Sequence, residues 1–109
     1  MASINAGSPP VCGKIIEAEI KSSVDATRPL PLVCGLYAID AADGIWLCAY
    51  YGRNRSVFDF LPQKGATVDE ATLGIVFQVK EFVPKAEYQP ARWEVFKQTR
   101  LMAYAGRGE

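Results

Sequence analysis

The sequence predicts a β-rich α+β domain, and three observations carry that expectation. Residues 36–51 are two apolar runs joined by a short polar turn, Asp40 to Gly44. Apolar and polar residues alternate from Ile16 to Lys21, the period of a half-buried strand. Residues 73–83 concentrate Ile, Val and Phe, whose branched or aromatic side chains fit a pleated surface. With 109 residues, half of them hydrophobic and 22% charged, the chain suits one domain around a single core. Residues 1–10 are expected to be a flexible leader, 11–106 the domain and 107–109 a tail.

The first strand is expected over residues 11–21, with Ile16, Ala18 and Ile20 on one face and Ile15, Glu17, Glu19 and Lys21 on the other. Residues 22–31 read as a loop, because Pro29 and Pro31 cannot continue a ladder. The second strand should run from Leu32 to Ile39 and the third from Ile45 to Tyr51. Both are almost wholly apolar, as when both faces of a sheet are covered or one carries a binding platform. Asp43-Gly44 marks the hairpin between them, since glycine enters the positive-φ region at no steric cost.

Gly52 to Ser56 is a basic turn, and Val57 to Phe60 would extend the sheet. Thr67-Val-Asp-Glu70 matches a capping box, in which Thr67 accepts from the Glu70 amide and Glu70 reaches back to the Thr67 amide. The favoured reading is a short helix here, then a strand from Leu73 to Val83. The competing reading is one helix to Val83 along Val68, Ala71, Ile75, Val79 and Phe82. Pro84 stops that element, and residues 84–92 are expected to be a loop. Residues 93–104 stay open: Pro90 and Gly106 suit a helix, whereas Trp93, Val95, Thr99 and Leu101 suit one side of a strand.

Twelve basic and twelve acidic residues give zero formal charge, which argues against avid non-specific nucleic-acid binding and favours association with a protein partner or a second copy. No apolar run reaches the roughly 18 residues of a membrane span, and the first ten residues lack the pattern of a secretory signal. An intracellular protein with no membrane contact is expected. Cys12, Cys34 and Cys48 are scattered, with no CxxC pair, and read as reduced thiols; without histidine a zinc site lacks its ordinary fourth ligand. No metal or cofactor is expected. The missing histidine also removes Ser–His and Cys–His nucleophile pairs. Asp40 and Asp43 are better explained as turn formers, and no phosphate-loop motif occurs, so the chain is not expected to be an enzyme.

The order strand, loop, hairpin, capped helix, strand, loop, strand resembles an OB-fold of the replication protein A type. The hairpin Ile39-Asp40-Ala41-Ala42-Asp43-Gly44-Ile45 is similar to that family's turn between strands two and three, one residue longer than its commonest form. Phe60-Leu61, Gly65 and the run from Leu73 to Val83 are placed as in the family. The likeness covers residues 11–104 and lies in order and spacing. It implies a five-stranded antiparallel barrel with a short helix between strands three and four. An antiparallel sheet with two C-terminal helices is the alternative.

The resemblance further implies a ligand face on strands two and three, where aromatics stack on bases and cations hold phosphates. Trp46 and Tyr50, on one side of the third strand, are then the stacking candidates, with Arg53 and Arg55 on the next turn. Arg28 from the first loop, and Lys85, Tyr88 and Arg92 from the second, would wall the groove. The expected function is a module binding single-stranded nucleic acid within a genome-maintenance or similar complex. The alternative is a non-catalytic subunit, or a small inhibitor or immunity-type protein, that binds a protein partner through the same face. Against the site, Trp46 suits a core or an interface, Arg53 and Arg55 a solvated turn, and Tyr88 a loop anchor.

Overall fold

The alternating and apolar runs become strands of one antiparallel sheet. The computed structural model describes residues 9–22, 33–52, 62–73 and 77–108. The expected loop over 22–31, the basic turn after Gly52 and the Val57–Phe60 extension fall almost wholly outside them. Among the described residues there are five strands, β1 (Cys12–Ser22), β2 (Val33–Ala41), β3 (Gly44–Gly52), β4 (Thr67–Asp69) and β5 (Phe77–Val83), followed by one α-helix, α1 (Pro90–Gly108). They pair in the order β4-β1-β2-β3-β5, with every pairing antiparallel, so among the described residues β4 and β5 are the two edges and the sheet is not closed into a barrel.

The hairpin stands where the apolar runs and the glycine put it. Ala41 pairs with Gly44, leaving Ala42 and Asp43 as the turn, and Gly44 takes φ +148°. A second constraint acts on the same glycine: a Cβ there would lie 2.7 Å from the Phe82 ring.

Alternation along β2 and β3 divides two apolar layers. Tyr37, Ile39, Cys48 and Tyr50 join Val11, Ile15 and Val68 on one face. Leu36, Ala38, Leu47 and Ala49 lie on the other, where Trp93 and Phe96 of α1 cover them and Leu101 packs at the margin. The central strands are almost wholly apolar because both faces are covered.

Several expectations are corrected. The ladder between β1 and β2 shifts register between Ile15 and Glu17. That extra residue reverses the parity: Ile15 joins Ala18 in the first layer and Ile16 joins the helix side. Thr67 does not cap a helix. Thr67–Asp69 pairs with β1, and the amide of Ile15 donates to Ala66 O at 2.8 Å just ahead of it. The edge of β1 needs a partner for its backbone groups, and this segment supplies it. Only a 3-10 turn, Glu70–Thr72, follows, with Asp69 accepting from the Ala71 amide.

Residues 93–104 are helix, within Pro90–Gly108, and the strand that brings the sheet to five is β4, Thr67–Asp69. Spacing explains the outcome. Trp93 and Phe96, three apart, reach the sheet together, while Val95 is 64% exposed. The expected loop 84–92 is likewise shorter, holding the 3-10 turn Lys85–Glu87 before α1 begins at Pro90. The last strand is described from Phe77 onward, and residues 74–76 lie outside the described part. Among the described residues, no helix is long and apolar enough to cross a membrane.

Candidate interaction site

Trp46 stands directly across from Phe82 in the β3–β5 ladder, and their rings meet at 5.1 Å between centroids with a 60° tilt. Phe82 is 41% exposed and Trp46 is half-buried. The Trp46 indole N–H donates to Asp43 Oδ1 at 3.1 Å, which ties the ring to the β2–β3 turn. Beside it is a groove of about 260 Å³, walled by Pro9, Pro10, Val11, Cys12, Ala41, Ala42, Asp43 and Trp46. Cross-strand aromatic pairs of this kind add stability beyond the area they bury. Here the pair also presents an apolar edge to solvent.

A buried charged cluster lies behind that corner. Lys80 Nζ donates to Glu70 Oε1 at 2.8 Å, the Tyr50 hydroxyl to Glu70 Oε2 at 2.8 Å, and the Val11 amide to Glu70 Oε1 at 3.3 Å. Lys80 Nζ also reaches Pro9 O at 3.4 Å and stands 5.8 Å from the centre of the Trp46 ring. Removing two charges from water is costly unless they pair and their remaining valences are met. Glu70 uses both oxygens here, so the cluster is closed, and it fastens the segment before β1 to β5 and to the turn after β4. The capping-box reading assigned this carboxylate elsewhere. A lysine in the middle of an apolar strand was the signal for a buried carboxylate partner.

Among the described residues, the structure does not bring the predicted groove residues to one face. Tyr50 is 1% exposed, its ring packs on Tyr37 at 5.7 Å, and its hydroxyl is held by Glu70. No ring face is left for a base, so the stacking role expected of Tyr50 is corrected to a core role. Burial, with the nearby Cys48 and Glu70, raises its pKa far above the ordinary value. Tyr88 packs with the helix-side layer. Burial, then Glu17 and Glu94, raises its pKa too. Lys85 is paired with Asp40 at 3.0 Å and Arg92 with Glu81 at 2.9 Å. By strand parity Asp40 and Glu81 belong to the helix side, opposite Ile45 and Leu47. The sheet therefore separates Trp46 from Lys85, Tyr88 and Arg92, and each of these cations already has a carboxylate. Arg28, Arg53 and Arg55 lie outside the described residues.

The thiols of Cys34 and Cys48 are on opposite faces of the sheet, and burial pushes them up to about 11 and about 12. Cys12 is exposed and borders the groove. Phe82 and Asp43 were not among the expected site residues. Their sequence signals are slight, because Phe82 meets Trp46 only through the pairing of strands 36 positions apart in sequence. No family model matches this chain, and neither a curated protein nor a solved structure matches it.

Proposed function

We propose that this chain is a non-catalytic interaction module that engages a protein partner through the Trp46–Phe82 corner. The observation that carries the reading is the exposed aromatic pair, held by Asp43 at the rim of a groove on the sheet face away from α1. Interface anchors are characteristically aromatic and supported from behind, as Trp46 is supported by the Glu70–Lys80 cluster. Charge adds to this: Lys85 and Arg92 are taken up by Asp40 and Glu81, and the chain is neutral in sum.

The second reading keeps the OB-like expectation, with single-stranded nucleic acid stacking on the same corner. Its support is the aromatic pair itself, since every base offers a π-face to such a ring. The barrel belongs to this reading, and it requires β4 and β5 to approach each other from opposite edges of the sheet.

Trp46→Ala and Phe82→Ala separate the two. A protein interface should lose about 2 kcal/mol or more per anchor, with little change in salt dependence. A stacked strand should lose ~1–3 kcal/mol, with log Kd rising steeply with log salt. The measurement is indole fluorescence titrated with oligo-dT at low and moderate salt, beside light scattering for self-association. Tight, salt-sensitive oligo-dT binding abolished by Trp46→Ala would reject the first reading in favour of the second.

A further inference from the structure

The groove beside Trp46 has a chemical character of its own. Asp43 is the one charged residue among those that wall it. Its carboxylate is exposed, accepts the Trp46 indole N–H through Oδ1 and has no cation paired with it among the described residues. The remaining walls are uncharged: the two prolines, Val11, Cys12, Ala41 and Ala42, and the indole. The cation near the ring among the described residues, Lys80, is neutralised by Glu70 at 2.8 Å.

We propose that this groove receives the side chain of a lysine or arginine from the protein partner, with its aliphatic stem along Pro9–Val11 and its charged head beside the Asp43 carboxylate at the edge of the Trp46 ring. A cation is attracted both to the indole face and to a carboxylate, while the stem of such a side chain covers apolar surface. A phosphate or an acidic peptide would meet Asp43 as a like charge. The volume, about 260 Å³, has room for one long side chain and not for a folded element. The inference rests on the protein-partner reading of this corner and adds the identity of the recognised group.

The test is a titration of the full chain, followed by the Trp46 indole N–H and the Ala41 and Ala42 amides in NMR spectra, with Trp46→Phe to assign the indole signal. The probes are acetyl-arginine amide, acetyl-lysine amide, acetyl-norleucine amide, acetyl-glutamate amide and oligo-dT. Saturable shifts are expected with the two cationic amides alone. Asp43→Asn keeps an acceptor for the indole and suits the turn before Gly44, so it should preserve the fold; it should weaken the cationic probes about two- to fivefold, the worth of one exposed ion pair. Equal shifts with norleucine, or no effect of Asp43→Asn, would overturn the cation while leaving the corner a docking surface. Saturation by the glutamate probe, or by no probe at all, would overturn the cation while leaving the protein-partner reading to the Trp46→Ala and Phe82→Ala measurements, whereas saturation by oligo-dT would overturn both.

Discussion

Glu70 and Lys80 make the residue-scale case most sharply, because each is the other's reason for being buried. Lys80→Met leaves a carboxylate with only the Tyr50 hydroxyl and the Val11 amide, and breaking a buried pair from one side costs about 3–5 kcal/mol. The double variant Glu70→Gln with Lys80→Met should recover much of that loss, since neither side chain is then an unpaired charge. Urea unfolding of the three proteins checks both statements, and a double variant no better than the single would count against the pairing. Gly44→Ala should also destabilise, by roughly 1–3 kcal/mol, through its positive φ and its approach to Phe82. The same denaturation curves would read it. Gly13 is equally constrained, for a Cβ there would lie 2.2 Å from Asp40 O and force β1 off β2.

Elements differ in how far their own residues determine them. The β2–β3 hairpin and the two faces of β3 were legible because an apolar run, a turn glycine and strict alternation are all local. The parity of β1 was not, since one extra residue between Ile15 and Glu17 is a property of the pairing with β2. Thr67–Asp69 carries a genuine capping-box pattern, but β1 had an unpaired edge and took the segment as a strand. The last element turned on spacing: Trp93 and Phe96 can cover the sheet together only from a helix. Trp93→Ala should therefore cost about 3–5 kcal/mol, the usual loss for a large buried aromatic. Hydrogen exchange in α1 should rise before that in β2 and β3, as a loosened helix would require, and uniform exchange across all elements would contradict it. For the site, Trp46 was legible from its strand, whereas the burial of Tyr50 depends on what covers the face, which no single strand records.

The whole molecule responds to pH through its buried acids. Burial lifts Cys34 and Cys48 from 9.0 to about 11 and about 12, and raises Tyr37 and Tyr50 above their ordinary value of 10.0. The unfolded chain gives up these protons first, so above about pH 9 the folded state is the more protonated one and stability falls as pH rises. Each such group contributes about 1.4 kcal/mol per pH unit within its window and no slope below it. Thermal unfolding from pH 8 to pH 10.5 should show a Tm that declines only above about 9, and a flat profile would refute the assignment. In native protein near pH 8, a thiol reagent should label Cys12 quickly, and Cys34 and Cys48 only on unfolding.

The tether from the first described residues to the second half of the chain bears on when the groove exists. Val11 meets Glu70 across 59 positions and Pro9 meets Lys80 across 71, so one wall of the groove is seated only after β5 has joined the sheet. Contacts of such long reach must close a large loop before they yield any stabilisation, and they form late. A nascent or partly folded chain would present Trp46 without its proline wall. Partner recognition at this corner would thereby report that folding is complete, and the interaction surface would double as a checkpoint on the finished molecule.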